Sequence, residues 1–333
     1  MKRTITRDKV SKIVSTYVKD WIIPEVSKWF NPPIIPVVSS TRGIFAGGYV
    51  SGNPNTINLI EYITIETLGN ATDFGDLTVI RMGLASLASS TRGIFAGGFY
   101  GDTNVIDYIT ISTLGNATDF GDTNNKAGYQ SGCSSSTRGI FSGGQISGPT
   151  SSTNIMTYIT IATTGNSAFF GYLSVGRELM GSLSSSTRGI FGGGTNEVNN
   201  LNTIDYITIS TLGNATDFGD LTVSRSGVGG CSSPTRGIFG TGISAVETNV
   251  IDYITISTLG NATDFGDTTI TSQGIGACSS PTRGLFSLGY SAAVFMNVIE
   301  YITIASTGNS ADFGDLITKR IFITGCSNGH GGL

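Results

Sequence analysis

The sequence is poor in charged residues and contains a single histidine. Charged residues make up 13% of its 333 residues, and the histidine is His330, close to the C-terminus. A Ser-His-Asp triad needs histidine as its general base, and multi-histidine metal sites need more than one. Both kinds of active site are therefore nearly excluded. The chain also lacks the abundance of Lys and Glu that is typical of disordered proteins.

Long apolar runs and a secretory signal are also missing. No 18-residue stretch is apolar throughout, so we expect no membrane span. The basic N-terminus has no continuous apolar core and no small-residue cleavage site, so we expect no signal peptide. Cysteine is scarce, and all four cysteines occupy one position of an internal repeat: Cys133, Cys231, Cys278 and Cys326. Leu87 and Leu183 fill that position in other copies, which indicates buried free thiols, as in a reducing cytoplasm.

The main feature that is present is a sixfold internal repeat. Each copy opens with Thr-Arg-Gly, carries Tyr-Ile-Thr-Ile in its middle and ends near a Phe-Gly pair. The opening threonines are Thr41, Thr91, Thr137, Thr187, Thr235 and Thr282, so the spacings are 50, 46, 50, 48 and 47 residues. A period in this range is typical of a propeller, a solenoid or another repeat array.

One copy, residues 225–267, shows what each repeat builds. Ser226–Ser233 is rich in small residues, Arg236–Gly242 follows a Pro-Thr turn, and Asn249–Thr258 alternates apolar and polar side chains. Ala262–Asp267 makes a short fourth strand. Four short antiparallel strands per repeat predict a propeller blade, with the glycine-rich first strand innermost. The predicted fold is therefore all-β, a six-bladed propeller of four-stranded blades over residues 39–333.

Two phenylalanines recur in every copy, for example Phe239 and Phe265. We expect both to wedge between neighbouring blades, where burial of each ring is worth about 2–3 kcal/mol.

The repeat resembles a known family. Each copy has an Arg-Gly stretch, then in four copies a glycine pair (Gly47-Gly48, Gly97-Gly98, Gly143-Gly144, Gly193-Gly194), and later a Tyr and a bulky aromatic residue. This order is similar to the kelch repeat over residues 41–328, which implies a kelch-like β-propeller. The late aromatic is Phe instead of the Trp usual in that family, and the pair becomes Thr241-Gly242 and Leu288-Gly289 in the last two copies.

A second resemblance concerns the particular residues of the repeat. Tyr-Ile-Thr-Ile followed by Gly-Asn-Ala-Thr-Asp-Phe-Gly-Asp is similar to repeats in predicted proteins of marine tailed phages. This resemblance implies a virion structural protein, such as a phage tail component, with a role in host attachment.

The C-terminus is expected to close the ring. The first strand of the repeat has five internal copies, whereas the other three strands have six. Lys319–Asn328 repeats the first-strand pattern with Cys326 in register, so a C-terminal strand at about 317–328 is expected to pair with residues 42–48. The alternative is Ile34–Ser40, but three prolines before and within it disfavour a central strand there.

Residues 1–38 differ in composition from the repeats. Residues 1–39 carry seven Lys/Arg and three acids, a net +4, whereas the remainder carries 12 against 20, a net −8. So acidic a body disfavours nucleic-acid binding. Residues 1–38, the leader, are predicted to form an amphipathic helical anchor and a Pro-rich linker, with an apolar stripe at helical spacing. The stripe is Val10, Ile13, Val14, Tyr17, Val18, Trp21 and Ile22, and Trp29 adds a further aromatic anchor.

The leader has three possible uses. We favour docking on another protein or self-association, because aromatic anchors on a helix outside the main fold suggest a binding element. The alternatives are packing on the propeller itself and lying on a membrane surface.

Repeated charged residues have structural interpretations. The acids around the Phe-Gly pair, such as Asp73 and Asp76, are interpreted as turn residues, with calcium binding as the alternative. The asparagines of Asn-Ala-Thr are also interpreted as turn residues. The arginines that follow the opening threonines are expected to pair with the repeated acids and tie blades together, the alternative being an anion-binding ring. We expect no cofactor and no bound metal.

Departures from the repeat are the candidate functional features. In the third copy Thr157, Phe169 and Tyr172 replace three acids, which is either drift or a contact patch, because interface cores are enriched in aromatic residues and depleted in charge. The loops after the second strand also vary and lie on one rim of the ring, where recognition is expected.

These features lead to three hypotheses. The first is a non-enzymatic phage virion protein, assembled in the host cytoplasm, which binds other virion proteins through residues 1–38 and displays the propeller to a host-surface glycan or protein. The second is a free-standing lectin-like or protein-binding propeller. The third, an enzyme on a kelch-type scaffold, is the least favoured. A homo-oligomer is compatible with each.

Overall fold

The chain folds into a ring of six four-stranded antiparallel sheets. The structure is a computed structural model that describes residues 41–52, 55–100, 103–146 and 152–333. Blade 1 contains β1 (Arg42–Ala46), β2 (Leu59–Thr64) and β3 (Thr72–Asp76), and blade 2 contains β4 (Ala85–Ala88), β5 (Arg92–Ala96), β6 (Val105–Thr110) and β7 (Thr118–Asp122). Next come β8 (Ala127–Gly128), β9 (Ser131–Ser134), β10 (Arg138–Ser142), β11 (Gln145–Ile146), β12 (Ile155–Thr160) and β13 (Ala168–Tyr172). Of these, β9, β10, β12 and β13 form blade 3, while β8 and β11 form a two-stranded ribbon.

The second half of the ring repeats this plan. Blade 4 contains β14 (Gly181–Ser184), β15 (Arg188–Gly192), β16 (Thr203–Thr208) and β17 (Thr216–Asp220), and blade 5 contains β18 (Gly229–Ser232), β19 (Arg236–Ile243), β20 (Glu247–Thr255) and β21 (Thr263–Ser272). The chain ends with β22 (Gly276–Ser279), β23 (Arg283–Ser287), β24 (Tyr290–Ser291), β25 (Val294–Phe295), β26 (Val298–Thr303), β27 (Ala311–Asp315) and β28 (Thr324–Ser327). β22, β23, β26 and β27 form blade 6, and β24 pairs with β25. The prediction of an all-β, six-bladed propeller with four-stranded blades is confirmed.

Blade 1 receives its inner strand from the C-terminus. β28 pairs antiparallel with β1, and Cys326 faces Ile44 in the register that places Leu87 opposite Ile94 in blade 2. The ring thus closes within one sheet, which leaves no unpaired edge between the first and last repeats. The predicted helix and the 38/39 boundary fall on residues outside those described.

The hydrophobic core is divided into six clusters, each between two adjacent blades. In every cluster the outer-strand phenylalanine of one blade lies with the second-strand phenylalanine of the next, as Phe74 does with Phe95. The other pairs are Phe120 with Phe141, Phe170 with Phe191, Phe218 with Phe239, Phe265 with Phe286, and Phe313 with Phe45. The expectation that both rings wedge between blades is confirmed. The four cysteines are free and buried, also as expected.

The repeated arginines tie neighbouring blades together, but they do not pair with the repeated acids. Arg42 lies over the ring of Tyr62, 4.9 Å from its centroid, and donates to the carbonyl oxygen of Ile111 in blade 2 at 2.8 Å. The same two contacts recur around the ring from Arg92, Arg138, Arg188, Arg236 and Arg283, the last reaching back to Ile65 of blade 1. The predicted partner was therefore wrong. A planar guanidinium can stack its face on an aromatic ring and still donate hydrogen bonds from its edge. The tyrosine and the carbonyl oxygen therefore take the place of a carboxylate partner.

The segments that begin with Asn-Ala-Thr, or with Asn-Ser-Ala in the third and sixth copies, also join blades. Asn116 accepts a hydrogen bond at Oδ1 from the backbone N–H of Asp76 in the preceding blade, at 3.0 Å. Equivalent bonds use Asn166, Asn214, Asn261, Asn309 and Asn70. The interpretation of these asparagines as turn residues is confirmed. The acids beside Phe-Gly instead lie within the outer strands, Asp73 and Asp76 in β3 for example, so their assignment to turns was wrong.

A second set of arginines, not recognised in the sequence, forms buried ion pairs. Arg81 lies just before β4 and contacts Asp107 at 2.7 Å, with neither side chain exposed. It also donates to the carbonyl oxygens of Phe95, Gly97 and Val105, which fixes the start of blade 2 to its second and third strands. The other pairs are Arg177 with Asp205, Arg225 with Asp252, and Arg320 with Glu61.

Blades 3 and 6 lack this arginine, and they compensate differently. In blade 3 Ala127 stands at the arginine position and Thr157 at the acid position, and Gln130 donates to the carbonyl oxygen of Gly143. In blade 6 Ser272 stands at the arginine position and Glu300 is retained, accepting hydrogen bonds from the backbone N–H and hydroxyl of Thr269. Blade 3 therefore replaces both members of the ion pair with uncharged residues.

We predict that removal of β28 abolishes folding. A chain lacking residues 317–333 loses the inner strand of blade 1 and the Arg320–Glu61 pair, so thermal unfolding followed by circular dichroism is expected to show no cooperative transition. The control is deletion of 329–333, which retains β28 and should keep a cooperative transition. An unchanged melting curve for the longer deletion would contradict closure by this strand.

We predict that the Arg177–Asp205 pair is strongly coupled. Arg177→Met or Asp205→Leu alone leaves a buried unpaired charge and is expected to cost about 3–5 kcal/mol. The double variant resembles the natural state of blade 3 and is expected to cost much less than the sum of the two. Denaturant unfolding of the four proteins measures the coupling, and additive losses would show that the pair is not coupled.

Candidate ligand site at the channel mouth

The two faces of the ring differ in construction. Each strand of a blade crosses the ring from one face to the other. The loops between second and third strands therefore lie on the same face as the connections between blades, and we call it the loop face. The short turns, which join the first strand to the second and the third to the fourth, lie on the opposite face, which we call the turn face. The variable loops and both two-stranded ribbons lie on the loop face. Sequence variation is thus concentrated on one face.

Six residues with left-handed backbone surround the channel on the loop face. They lie four positions before the Cys or Leu of each inner strand, and they are Gly83, Tyr129, Leu179, Gly227, Gly274 and Phe322, with φ from 53° to 68°. We call them the mouth ring. Backbone hydrogen bonds link consecutive members, such as Tyr129 N–H to Gly83 O at 2.6 Å and Leu179 N–H to Tyr129 O at 3.1 Å.

Three members of the mouth ring are not glycine. Left-handed backbone costs a bulky residue about 1–3 kcal/mol, a strain that is concentrated at functional sites in proteins. Tyr129, Leu179 and Phe322 therefore retain large side chains at positions where the fold favours glycine. Because glycine would avoid this strain, we attribute the large side chains to the contacts that they make at the mouth.

Aromatic rings meet across the mouth. Tyr129 lies between Phe99 and Phe322, with ring centroids 4.7 and 5.0 Å apart. Gly83 lies beside this group, and a Cβ atom there would be 2.5 Å from Cδ1 of Tyr129. Glycine at 83 is thus required by the close approach of Tyr129. We call Phe99, Tyr129 and Phe322 the aromatic cluster.

A cavity of about 110 Å³ lies beneath the mouth ring. Tyr129, Leu179 and Phe322 line it together with small residues of the inner strands. Its serine hydroxyls bond to neighbouring strands: Ser131 donates to Met180 O and Ser182 donates to Gly132 O. These two wall hydroxyls are therefore already engaged, whereas Gln130 Oε1, also in the wall, is buried without a hydrogen-bond partner.

A carboxylate lies next to the aromatic cluster. Glu178 precedes Leu179 of the mouth ring and is 6% exposed, and its Oε2 has no hydrogen-bond partner. Burial, and then the charge of Glu197, raise the pKa of Glu178 to about 7. Burial, and then the charge of Glu178, raise the pKa of Tyr129 to about 12. The Glu178 carboxyl therefore carries its full negative charge only above neutral pH.

The C-terminal tail occupies the channel near the turn face. His330 Nε2 lies 2.8 Å from Ala88 O and 3.3 Å from Ser134 Oγ, and Nδ1 accepts from Gly332 N–H at 3.1 Å. Because Nδ1 accepts a hydrogen bond, it carries no hydrogen, so the ring is neutral and Nε2–H donates to Ala88 O. Around it, inner-strand serines donate to the preceding blade, as Ser184 does to Ser134 O at 2.8 Å. This end of the channel is filled by the chain itself.

The structure separates the residues predicted for a contact patch. Phe169 and Tyr172 are 48% and 44% exposed on β13, and their rings lie 5.1 Å apart. Thr157 is 1% exposed and replaces the buried acid of the ion pair, so it does not belong to that surface. Residues Val10 to Trp29 of the predicted leader site lie outside the described residues.

The mouth residues were missed by sequence reasoning, although a signal exists. Aligning the six copies on the Cys/Leu position places Tyr129 and Phe322 opposite glycines. The same alignment places Arg81 six residues before Leu87, and Arg177, Arg225 and Arg320 at the equivalent position in three other copies. Neither the left-handed backbone nor the meeting of these rings is encoded by that alignment.

Comparisons with known proteins add no family. A scan against protein-family models gives no match, and a search of curated proteins gives no match either. Across the described ranges, no group of three or more His, Cys, Asp or Glu side chains is placed to hold a metal ion. The same part of the chain contains no helix long and apolar enough to cross a membrane.

We predict that acid weakens the tail contact. Burial lowers the pKa of His330 below 6.5. The stability it contributes is therefore complete above pH 6.5 and is lost as the pH falls toward the lower pKa of the folded state. Unfolding by denaturant at pH 7.5 and 5.5 should show a larger loss for the wild-type protein than for His330→Gln. Equal losses would show that His330 is not the titrating group.

Proposed function

We propose that this protein is a non-enzymatic binding propeller whose recognition surface is the channel mouth on the loop face. The observation that carries the proposal is the aromatic cluster, held on strained backbone around a cavity. The inter-blade contacts repeat six times and serve the ring, whereas Tyr129 and Phe322 depart from glycine at one place on the rim.

A non-enzymatic role is supported by the state of the chemical groups. His330, the single histidine, has both ring nitrogens engaged in the channel. Four buried acids are paired with arginine, and the four thiols are buried, with raised pKa values. These groups are committed to the fold.

We further propose that the protein belongs to a phage particle and binds a host-surface glycan or protein. Two resemblances support this proposal. The repeat sequence is similar to repeats in proteins of marine tailed phages, and its motifs follow one another in the order of a kelch repeat. Residues 1–38 would join it to other virion proteins, and the mouth would face the host. A lectin-like role is a form of the same proposal, since aromatic rings are suitable surfaces for stacking sugars.

The mouth assignment is tested by restoring the repeat. Tyr129→Gly with Phe322→Gly introduces the residue found at three equivalent positions, so the thermal midpoint is expected to stay within about 4 °C. Binding of the full chain to host cells or to a glycan array is expected to weaken about tenfold or more. The matched control is Phe169→Asp with Tyr172→Asp, which restores the acids of the other blades.

The outcome separates the two candidate surfaces. Weaker binding only in the control variant would move recognition to β13. Particle association is tested separately with a chain that lacks residues 1–38. We expect this chain to be absent from purified particles. Its retention on particles would contradict the anchor role of residues 1–38.

A further inference from the structure

The described propeller has an excess of acid that its arginines do not neutralise at the surface. Residues 40–333 carry 12 Lys/Arg and 20 Asp/Glu, a net charge of −8. All ten of its arginines are committed: six lie over tyrosines and donate to the next blade, and four are buried in ion pairs. The field outside the ring therefore attracts cations.

Glu178 is the acid at the mouth that lacks compensation. Among the described residues the salt bridges are those of Arg81, Arg177, Arg225 and Arg320, and none includes Glu178. Its Oε2 is buried without a hydrogen bond, a state that costs about 1–3 kcal/mol or more for a charged group. Glu197, whose carboxylate accepts from the backbone N–H of Ser152, adds like charge.

The neighbouring rings complete a site for a cation. Leu179, which follows Glu178 directly, donates its backbone N–H to the carbonyl oxygen of Tyr129 at 3.1 Å, and the Tyr129 ring lies 5.0 Å from that of Phe322. The charge of Glu178 also contributes to the raised pKa of Tyr129. An ammonium group is attracted both to a carboxylate and to the face of an aromatic ring. A neutral hydroxyl would satisfy Oε2 but would leave the negative charge of Glu178 uncompensated.

We infer that the channel mouth binds its ligand through a primary ammonium group, which pairs with Glu178 and lies against the aromatic cluster. This inference rests on the proposed function only for the location of the site. The ammonium belongs either to an amino sugar or to a lysine side chain, and both sources present the same group to Glu178.

The test uses the full chain and four probes. Glucosamine and Nα-acetyl-lysine amide carry the ammonium, while glucose and the Nε-acetylated form of the lysine probe are their neutral counterparts. Calorimetric titration at pH 8 is expected to show saturable binding of one or both amines and at least about tenfold weaker binding of the matched neutral compound. The amine that binds more tightly identifies the source.

Glu178→Gln is the decisive variant. It keeps the shape of the side chain and removes the like charge near Glu197, so it is expected to fold at least as stably while losing about tenfold or more in amine affinity. Glu247→Gln, on the rim of blade 5, is the matched control and should bind as the wild-type protein does. Equal binding of amine and neutral probes, no binding of any probe, or full affinity of Glu178→Gln would overturn the inference.

Failure of this inference is distinguishable from failure of the proposed function. If Glu178→Gln loses amine binding while host-cell binding is unchanged, the ammonium site stands and host recognition lies elsewhere. If the amines do not bind but Tyr129→Gly with Phe322→Gly abolishes host-cell binding, the mouth remains the recognition surface and its ligand is not an amine.

Discussion

Every blade is attached to the next by an arginine that stacks on a tyrosine of its own blade and donates to a carbonyl of the neighbouring blade. The contact recurs six times, and the last copy, from Arg283 to Ile65, joins blade 6 to blade 1. The tyrosine under the arginine packs against the inter-blade core that holds the phenylalanine pair, as Tyr62 and Tyr301 do. A ring held by identical contacts tolerates variation wherever those contacts are absent, namely on the loop face and on the exposed faces of the outer strands.

The buried charges show how far this tolerance extends. Arg81 and Asp107 fix the chain as it enters blade 2, yet blade 3 dispenses with both members and blade 6 keeps only Glu300. A buried charge is stable only with its partner or with hydrogen bonds in its place. Thr157 is therefore explained by the core, and the exposed rings of Phe169 and Tyr172 are left as a separate feature of the same blade.

The mouth ring carries backbone strain at three of its six positions. Three glycines show which residue suits the left-handed backbone, and Tyr129, Leu179 and Phe322 depart from it. Together with the uncompensated carboxylate of Glu178, the rings form a compact site with both an apolar and an anionic part. Such a combination offers a ligand both an apolar surface and an anionic partner, while His330 is held in the channel at the opposite end.

The sequence by itself determined the repeat, the four strands of each blade, the buried thiols and the C-terminal strand, because periodicity and the alternation of side chains are local properties. Only the tertiary structure decided that Arg42 reaches Ile111, that Arg81 meets Asp107 and that Tyr129 meets Phe322. The last two residues are far apart in the chain and come together because closure brings blade 1 within two places of blade 3. Local patterns specify strands, but only the closed ring specifies which side chains meet around its channel.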